Sequence, residues 1–384
     1  MTFVKPNRTW AEVNLDNIAF NYREFRRHTN RRVMCVLKAD GYGHGAVMLA
    51  KRLEKEGCDA FGVAALDEGI ELRRAGVSSF ILLLNHIHPL RVNEALENGL
   101  TMTVFSVEMA ERISNLAIKK TGIHIKIDTG MTRVGFSVDE AFECIKHIHT
   151  LPNIEIEGIY THFASAEVAD KIFTRIQTER LNKVISDIEN AGIFIKTKHA
   201  CNSAGSMIYS AAYFDMVRLG ISLYGCYPDE NIDKTVVNLK PAMQLKTQIC
   251  RINNVGAGVP VSYNGMYVTT RPTRIATLQA GYLDGLSRLM RDKLHVLING
   301  QSVPVIGRIC MDQCMADITD VQGEVLVNDE AVFYGEQNGA TAPVENLAEY
   351  MGTNSYEIFT KVPRRVPRYY TENGKVVGVV NYLI

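Results

Sequence analysis

The sequence predicts an α/β protein with an N-terminal (β/α)8 TIM-type barrel and a C-terminal, mostly β domain. Over the first ~240 residues, short aliphatic runs alternate with longer amphipathic stretches, which is the pattern of a barrel. From about Leu239, short strand-like segments separated by turn signals such as Asn-Gly replace that alternation. We therefore predict a barrel at residues 1–238 and a β domain at residues 239–384.

The predicted barrel strands are eight runs rich in aliphatic and β-branched residues. Helical spacing follows most of them, as at 107–116 and 168–190, whereas the segment after the seventh run is short. Eight strand–helix units in ~240 residues fit the size of this barrel. In chain order the runs are RVMCVL, AFGVAA, FILLL, TMTVF, IHIKI, IEGIYTHF, IKTKHA and DMVRLG.

Chemically active residues stand where these runs stop. In a barrel of this kind the working side chains lie at the carboxyl ends of the strands, so we expect these residues to share one end of the barrel. The segments CNSAGS and RLGIS, after runs seven and eight, have the small residues of a phosphate-binding loop. The strand-end residues are Lys38, Arg133, His162, Asn202, Ser203, Arg218 and Gly220.

Each of these residues also has an ordinary structural interpretation. Lys38 could extend its ammonium to solvent, His162 could bond a backbone carbonyl, and Arg218 could pair with a carboxylate. Tyr263, beside Asn-Gly, could be a turn residue. The glycines of VLKADGYGHG favour a functional Lys38, because they allow the backbone to approach a bound group and precede a helix expected near Ala46.

Composition limits the kinds of partner that we expect the protein to bind and the compartment in which we expect it to work. The chain has 42 basic and 42 acidic residues, which gives no electrostatic argument for nucleic acid or an anionic membrane. Its eight cysteines are scattered through apolar segments and predict free thiols. The start MTFVKPNRTW lacks a secretory apolar core, and FILLL is far shorter than a membrane span. We expect a cytoplasmic protein with a small-molecule ligand.

A metal site is the main alternative from the residues alone. His86 and His88, which follow a predicted barrel strand, could bind a catalytic metal, although a surface loop is the favoured interpretation. Cys310 and Cys314 lack the second ligand pair of a zinc site and are expected to be core thiols. We predict no metal, and keep a metal-dependent barrel hydrolase using both histidines and a carbamylated Lys126 as the rival function.

Nine segments together closely resemble the alanine racemases, which use pyridoxal phosphate. They follow in the family's order and spacing along nearly the whole chain. The resemblance implies a homodimer in which the β domain of one subunit completes the active site of the other. It implies the conversion of L-alanine to D-alanine for cell-wall synthesis. The segments are VLKADGYGHG, KIDTGMTRVGF, YTHFASAE, CNSAG, VRLGISLYG, VSYNGMY, GYLDG, CMDQ and RVPR.

The resemblance also implies a role for each matching residue. Lys38 would hold the cofactor covalently and act as one base, and Tyr263 of the partner subunit would be the other base, with His162 and Arg218 as the relay. Lys126 occupies the position that family members can carbamylate. The implied cofactor ligands are Lys38, Tyr42, Asn202, Ser203, Arg218, Gly220, Ile221 and Tyr356, and the implied substrate ligands are Arg133, Tyr282, Met311 and Asp312.

Two departures from the family pattern bear on substrate choice. Leu283 replaces the more usual alanine, and Glu167 stands where aspartate is common. Alanine is the expected substrate, and serine or a longer amino acid is the alternative. A cofactor carrier without catalysis and a decarboxylase on a related barrel are further rivals.

Overall fold

A computed structural model describes residues 8–384, which form two compact units. One unit contains residues 17–41 and 46–240. The other contains residues 241–384, the short segment Tyr42–Gly45 and the described residues up to Asp16. The stretch MTFVKPN, on which the absence of a secretory segment was argued, lies outside the described residues.

The first unit is a nearly closed barrel of eight parallel strands, as predicted. Each of the first six strands pairs with the next along the chain, and the eighth pairs in parallel with the first, as Val217 does with Val33. The seventh and eighth strands meet through backbone bonds such as Asp215 N to Lys198 O at 3.1 Å. The strands are Arg32–Val36, Ala60–Val63, Phe80–Leu83, Thr101–Val104, Thr121–Asp128, Ile154–Tyr160, Thr197–His199 and Met216–Leu219.

Helices alternate with these strands and bury one apolar side against them. Within Ala46–Lys55, for example, Leu49, Ala50 and Leu53 are buried, which is the three-to-four-residue spacing of one helix face. The helix after the seventh strand has only six residues. The helices of this part of the chain are Leu15–Thr29, Ala46–Lys55, Leu66–Arg74, Val92–Glu97, Val107–Leu116, Val138–His149, Ile172–Asn190 and Ser203–Ile208.

The second unit is built on a ten-stranded sheet. The strand Trp10–Asn14 lies inside this sheet because it pairs antiparallel with Met243–Val255 and parallel with Arg368–Glu372. The other strands are Thr273–Leu278, His295–Ile298, Gln301–Ile306, Cys314–Asp317, Glu330–Gln337, Ala340–Ala342 and Lys375–Val380, with a separate pair Pro260–Val261 and Tyr267–Val268 and the helices Val344–Met351 and Ser355–Thr360.

Local sequence explains one hairpin of this sheet directly. Asn299 and Gly300 have positive φ angles of 53° and 73°, and they join His295–Ile298 to Gln301–Ile306. Asn-Gly adopts this turn readily, and the turn matches the twist of the paired strands.

Within the described residues, no helix combines the length and apolar character needed to cross a bilayer.

Candidate active site

Lys38 begins a left-handed turn directly after the first barrel strand. Ala39, Asp40 and Gly41 all lie near φ 55° and ψ 47°, and Tyr42 follows at φ 50°. This conformation costs L-residues roughly 1–2 kcal/mol each, so the turn stores strain beside the lysine. Burial, followed by the charge of Arg133, lowers the pKa of Lys38. A lowered pKa favours the neutral amine, the form that can react with an aldehyde.

The glycines after Lys38 make room for the chain itself. A side chain at Gly43 would overlap the carbonyl of Phe359, and one at Gly45 would overlap the Tyr370 hydroxyl. The interpretation that these two glycines admit a bound group is therefore wrong. The helix does begin at Ala46, as predicted, but its amide donates to the Asp40 carboxylate at 3.1 Å, so the side chain of Asp40 occupies that N-terminus.

Arg218 lies buried at the end of the eighth strand and donates to His162. The Nη2 atom of Arg218 is 3.0 Å from Nδ1 of His162, and it also donates to the carbonyls of Thr161 and Ala200 at 2.9 Å. Since Nδ1 of His162 accepts this bond, the imidazole carries its proton on Nε2. Burial and then Arg218 move the pKa of His162 well below its ordinary value, so this ring is neutral.

Two further buried histidines continue the series of hydrogen bonds that starts at Arg218. Neither was among the residues predicted from the sequence. The Nη1 atom of Arg218 donates to Nδ1 of His199 at 2.9 Å, and His199 Nε2 lies 3.0 Å from Nδ1 of His124. Burial first, and then the arginine charges, hold the pKa of both rings below the ordinary value, to about 3 for His124. The sequence carries one sign of His124: in IHIKID it stands two residues before Lys126. Alternate residues of a strand face the same side, so this spacing places His124 on the same face as Lys126.

Lys126 is a buried amine on the fifth strand without a carboxylate contact. Its Nζ lies 4.8 Å from the centre of the Tyr160 ring and makes no hydrogen bond with any residue from 8 to 384. Burial, Arg218 and Arg133 lower its pKa to about 7.

The Asp128 carboxylate accepts the backbone amides of Gly130, Thr132 and Arg133 at 2.9–3.0 Å and thereby fixes the loop that carries Arg133.

The loops after strands seven and eight meet at Ser203. Its hydroxyl accepts the Gly220 amide at 2.9 Å and the Ser222 amide at 3.5 Å. The Ser222 hydroxyl is buried without a hydrogen-bond partner in the described chain, and the amides of Ser203 and Ile221 donate to no described group. Asn202, by contrast, uses its side chain to accept the Gly205 amide at 3.0 Å and so caps the short helix.

These open donors fit the phosphate of pyridoxal phosphate, and Arg218 fits its ring. The Nε atom of Arg218 makes no hydrogen bond within residues 8–384, although both terminal nitrogens donate to described groups. A buried guanidinium with one unused donor suits a ring nitrogen that accepts. Amides and a hydroxyl without partners suit phosphate oxygens. The barrel residues therefore fit this cofactor.

The second unit carries the remaining predicted site residues. Tyr42 is buried, and its ring centre lies 6.0 Å from that of Tyr356. Tyr263 is 67% exposed, and its hydroxyl contacts no described hydrogen-bonding group. It is held between Ser262 and Asn264, whose φ angles are 64° and 63°, in a tight turn that presents the phenol outward.

Tyr282, Met311 and Asp312 lie on two facing turns of the second unit. The Tyr282 amide donates to the Cys310 carbonyl at 2.9 Å, and the Leu283 amide donates to the Met311 carbonyl at 3.1 Å. Met311 is about half exposed. The Asp312 carboxylate accepts from Arg8 at 2.9 Å and from Arg365 at 2.7 Å.

The histidines of the alternative metal site have other contacts. His88 accepts the Leu90 amide at 3.2 Å, and the His86 ring packs against Phe105. Within residues 8–384 no three His, Cys, Asp or Glu side chains gather as a metal would require.

Comparison with known families accounts for nearly the entire sequence. The family model described as "Alanine racemase, N-terminal domain" matches residues 13–228, and that described as "Alanine racemase, C-terminal domain" matches residues 242–370. The chain belongs to the alanine racemase family. This confirms the predicted family and, with the observed strand order, the predicted fold class.

Relatives and solved structures agree over the full length. An alanine racemase of Clostridium novyi (strain NT) is 41% identical over 97% of this chain and 98% of its own, and one of Carboxydothermus hydrogenoformans is 44% identical over 94% and 99%. The structure of alanine racemase from Clostridium difficile 630 superposes with a TM-score of 0.95 at 40% identity, covering 99% of this chain and 100% of that one.

One solved neighbour bears directly on the cofactor. Alanine racemase from Bartonella henselae, with covalently bound pyridoxal phosphate, is 28% identical with a TM-score of 0.85 over 95% of this chain and 100% of that one. Pyridoxal phosphate is the cofactor of this family. The cofactor prediction is therefore confirmed.

Proposed function

We propose that this chain interconverts L- and D-alanine with pyridoxal phosphate held on Lys38. The observation that carries the proposal is the partly buried Lys38 amine with a lowered pKa, in the same barrel as Arg218 and its open Nε. When bound, the cofactor withdraws electrons from the substrate α-carbon and makes the α-proton acidic. The residues of the chain then supply binding, orientation and proton transfer.

The barrel residues divide the binding of the cofactor among them. We assign the phosphate to Ser203 with the amide of Ile221, and the ring nitrogen to Arg218. The Gly220 amide, which donates to the Ser203 hydroxyl, stays a predicted phosphate ligand on the resemblance alone. Asn202 supports this loop as a helix cap. Tyr42 and Tyr356 stay predicted phosphate ligands on the resemblance alone.

Arg218 keeps its proton. Burial lowers its pKa only to about 10, so the guanidinium is charged at neutral pH and donates to the ring nitrogen without protonating it. An unprotonated ring nitrogen would supply weaker electron withdrawal than a protonated one. This would suit racemisation, because the bases of the protein could return the proton before side reactions occur.

Racemisation requires a base on each face of a planar carbon. We assign Lys38 to one face and Tyr263 of the partner subunit to the other, in a homodimer with shared active sites. The exposed, unpaired phenol of Tyr263 suits a residue lent to a neighbour. A free phenol has a pKa near 10. His162, neutral with its proton on Nε2, can donate to a phenolate oxygen and so stabilise the deprotonated base.

We assign the substrate carboxylate to Arg133 and the Met311 amide, and keep Tyr282 as a predicted substrate ligand. The Arg133 guanidinium makes no hydrogen bond within the described chain, so it is available to a carboxylate. Lys126, with a pKa of about 7, has the neutral amine that carbon dioxide requires. Carbamylation would place an anion near Arg133 and orient it.

Alanine is preferred over serine or a longer side chain because the relatives matched over the full length are alanine racemases. The comparisons give no support to a metal-dependent hydrolase. We also infer a cytoplasmic location and a role in supplying D-alanine for the cell wall. The eight free cysteines agree with a reducing compartment.

Incubation of the holoenzyme with single L-amino acids in deuterated water tests this proposal. We expect yellow protein, deuterium at the α-carbon, and an equal mixture of L- and D-alanine at equilibrium. Serine and longer amino acids should exchange at least about tenfold more slowly. Exchange without inversion, release of carbon dioxide, or colourless protein that takes up no cofactor would each contradict the proposal.

A further inference from the structure

Two turns of the second unit are joined so closely that they form one surface. Gly281–Asp284 and Cys310–Gln313 are linked by the Tyr282 and Leu283 amides, which donate to the Cys310 and Met311 carbonyls. A side chain at Gly281 would overlap both of those carbonyls, so the two turns could not approach in this way. We call this pair of turns the double turn.

Two arginines outside the double turn hold it together through two of its own carboxylates. Arg8 donates to Asp312 at 2.9 Å and lies 3.4 Å from Asp284. Arg365 reaches the same two carboxylates, at 2.7 Å from Asp312 and 3.2 Å from Asp284. Each arginine therefore bridges one carboxylate on each turn. We call these four residues the ion quartet.

The members of the ion quartet differ in exposure. The Asp284 side chain is 2% exposed and also accepts the Gly281 amide at 2.9 Å, which closes the first turn. The Asp312 side chain is 50% exposed. A buried carboxylate is stable only when paired, and both arginines supply that pairing. An isolated surface ion pair is worth little, but two arginines shared between two carboxylates fix a geometry.

The double turn and the ion quartet together fix the direction of the Met311 amide. The carbonyl of Met311 is used within the double turn, whereas its N–H donates to no group among residues 8–384. Asp312, the next residue, is held by two arginines at once. The Met311 N–H belongs to the same peptide as the Cys310 carbonyl, which accepts the Tyr282 amide at 2.9 Å, and the next peptide is held through the Met311 carbonyl and Asp312. Because the peptides on both sides of the Met311 Cα are fixed, its N–H keeps one direction.

We propose that Arg8, Arg365, Asp284 and Asp312 are positioning residues that aim the Met311 amide at the substrate carboxylate. The inference rests on the proposed function, which assigns that amide to the carboxylate. It gives Asp312 an indirect role: its carboxylate contacts arginines and would repel a substrate carboxylate, so it orients its neighbour without binding alanine itself.

Asp312→Asn in the holoenzyme tests the role of the ion quartet. The amide side chain keeps the shape but loses the charge that holds both arginines. We expect KM for alanine to rise about tenfold in both directions, with kcat changed less than about twofold, because ground-state and transition-state binding are lost together. Calorimetry with propionate, which has alanine's carboxylate without its amine, should show the same rise in Kd.

Two further variants separate positioning from simple structure. Asp320→Asn removes the carboxylate of another arginine pair, Arg271–Asp320, on the surface of the same unit, and should leave KM and the propionate Kd unchanged. Arg365→Lys keeps the charge but cannot reach both carboxylates as a fork, so it should fall between wild type and Arg365→Gln.

These measurements distinguish failure of this inference from failure of the proposed function. If Asp312→Asn binds propionate as wild type does, or changes no more than Asp320→Asn, the inference is wrong. A large loss of kcat with unchanged propionate Kd would also overturn it, because Asp312 would then act in the chemistry. If wild type binds propionate but does not racemise alanine, the proposed function fails, and the propionate series still decides the role of the ion quartet.

Discussion

At the scale of single residues, the barrel holds two buried positive side chains, Arg218 and Lys126, that contact no carboxylate among residues 8–384. Arg218 donates to backbone carbonyls and to the lone pairs of two neutral imidazoles. Its charge, together with burial, lowers the pKa of Lys126 and His162. An excess of buried positive charge is unfavourable for folding but suits an anionic cofactor and a carboxylate substrate.

Lys126→Met should raise the thermal unfolding midpoint, by an amount that depends on pH. Since folding lowers the lysine pKa from an ordinary 10.5 to about 7, the folded state binds fewer protons than the unfolded state between these values. The penalty in wild type is therefore full below pH 7 and shrinks as pH rises to 10.5. In carbon-dioxide-free buffer the gain from Met should be largest at pH 6 and small at pH 10.

Bicarbonate provides the control for that residue. Near pH 8 it should stabilise wild type, because carbamylation converts the buried neutral amine into an anion near Arg133, and it should leave Lys126→Met unchanged. A gain from Met that is the same at every pH would show that the Lys126 amine has its ordinary pKa in the folded state.

At the scale of elements, the left-handed turn at Lys38 is the most unusual feature of the barrel. Ala39 is exposed and its amide donates to Glu68 at 2.6 Å, so the turn is fixed by contacts beyond its own residues. Three of its four positive-φ residues, Ala39, Asp40 and Tyr42, are not glycine. The strain is held in place by the surrounding structure, as is common at functional sites.

Ala39→Gly should stabilise the protein by about 1 kcal/mol, because glycine adopts the left-handed conformation without steric cost. Lys51→Gly, at an exposed position of the right-handed helix Ala46–Lys55, is the matched control and should destabilise by about the same amount. Equilibrium urea unfolding of both variants gives the comparison. Destabilisation by both substitutions would refute the left-handed conformation at residue 39.

At the scale of the whole molecule, the proposed active site needs two chains. Lys38, His162 and Arg218 belong to the barrel, whereas Tyr263 stands exposed on the second unit. The proposal gives each site of the homodimer one base from each subunit. Two damaged subunits can then combine into a dimer with one intact site.

Mixing Lys38→Ala and Tyr263→Phe subunits should restore activity. Each variant alone should lose at least about a hundredfold in kcat for loss of a general acid–base group. Subunits exchanged in a one-to-one mixture should recover about a quarter of wild-type activity, since half the dimers are mixed and each holds one intact site. Absence of recovery, with mixed dimers demonstrated by differently tagged subunits, would place both bases on the same chain.

Sequence pattern determined most of the barrel and the strand ends on which the proposed site residues lie. All eight predicted runs are strands, because buried parallel strands need continuous aliphatic stretches, and that requirement is local. Strand-end residues such as Arg218 and His162 could be named in advance because the barrel brings its carboxyl strand ends together. The Asn-Gly hairpin at 299–300 likewise follows from the φ angles those residues tolerate.

Tertiary structure alone decided the contacts between residues distant in the chain. The strand Trp10–Asn14 joins the sheet of the second unit because it pairs with Met243–Val255, more than 200 residues away, and no local pattern specifies such a partner. The links of Arg218 to His199 and of Arg8 to Asp312 are of the same kind. Periodicity fixes which face a residue occupies, whereas pKa shifts and shared ion pairs depend on which groups that face meets.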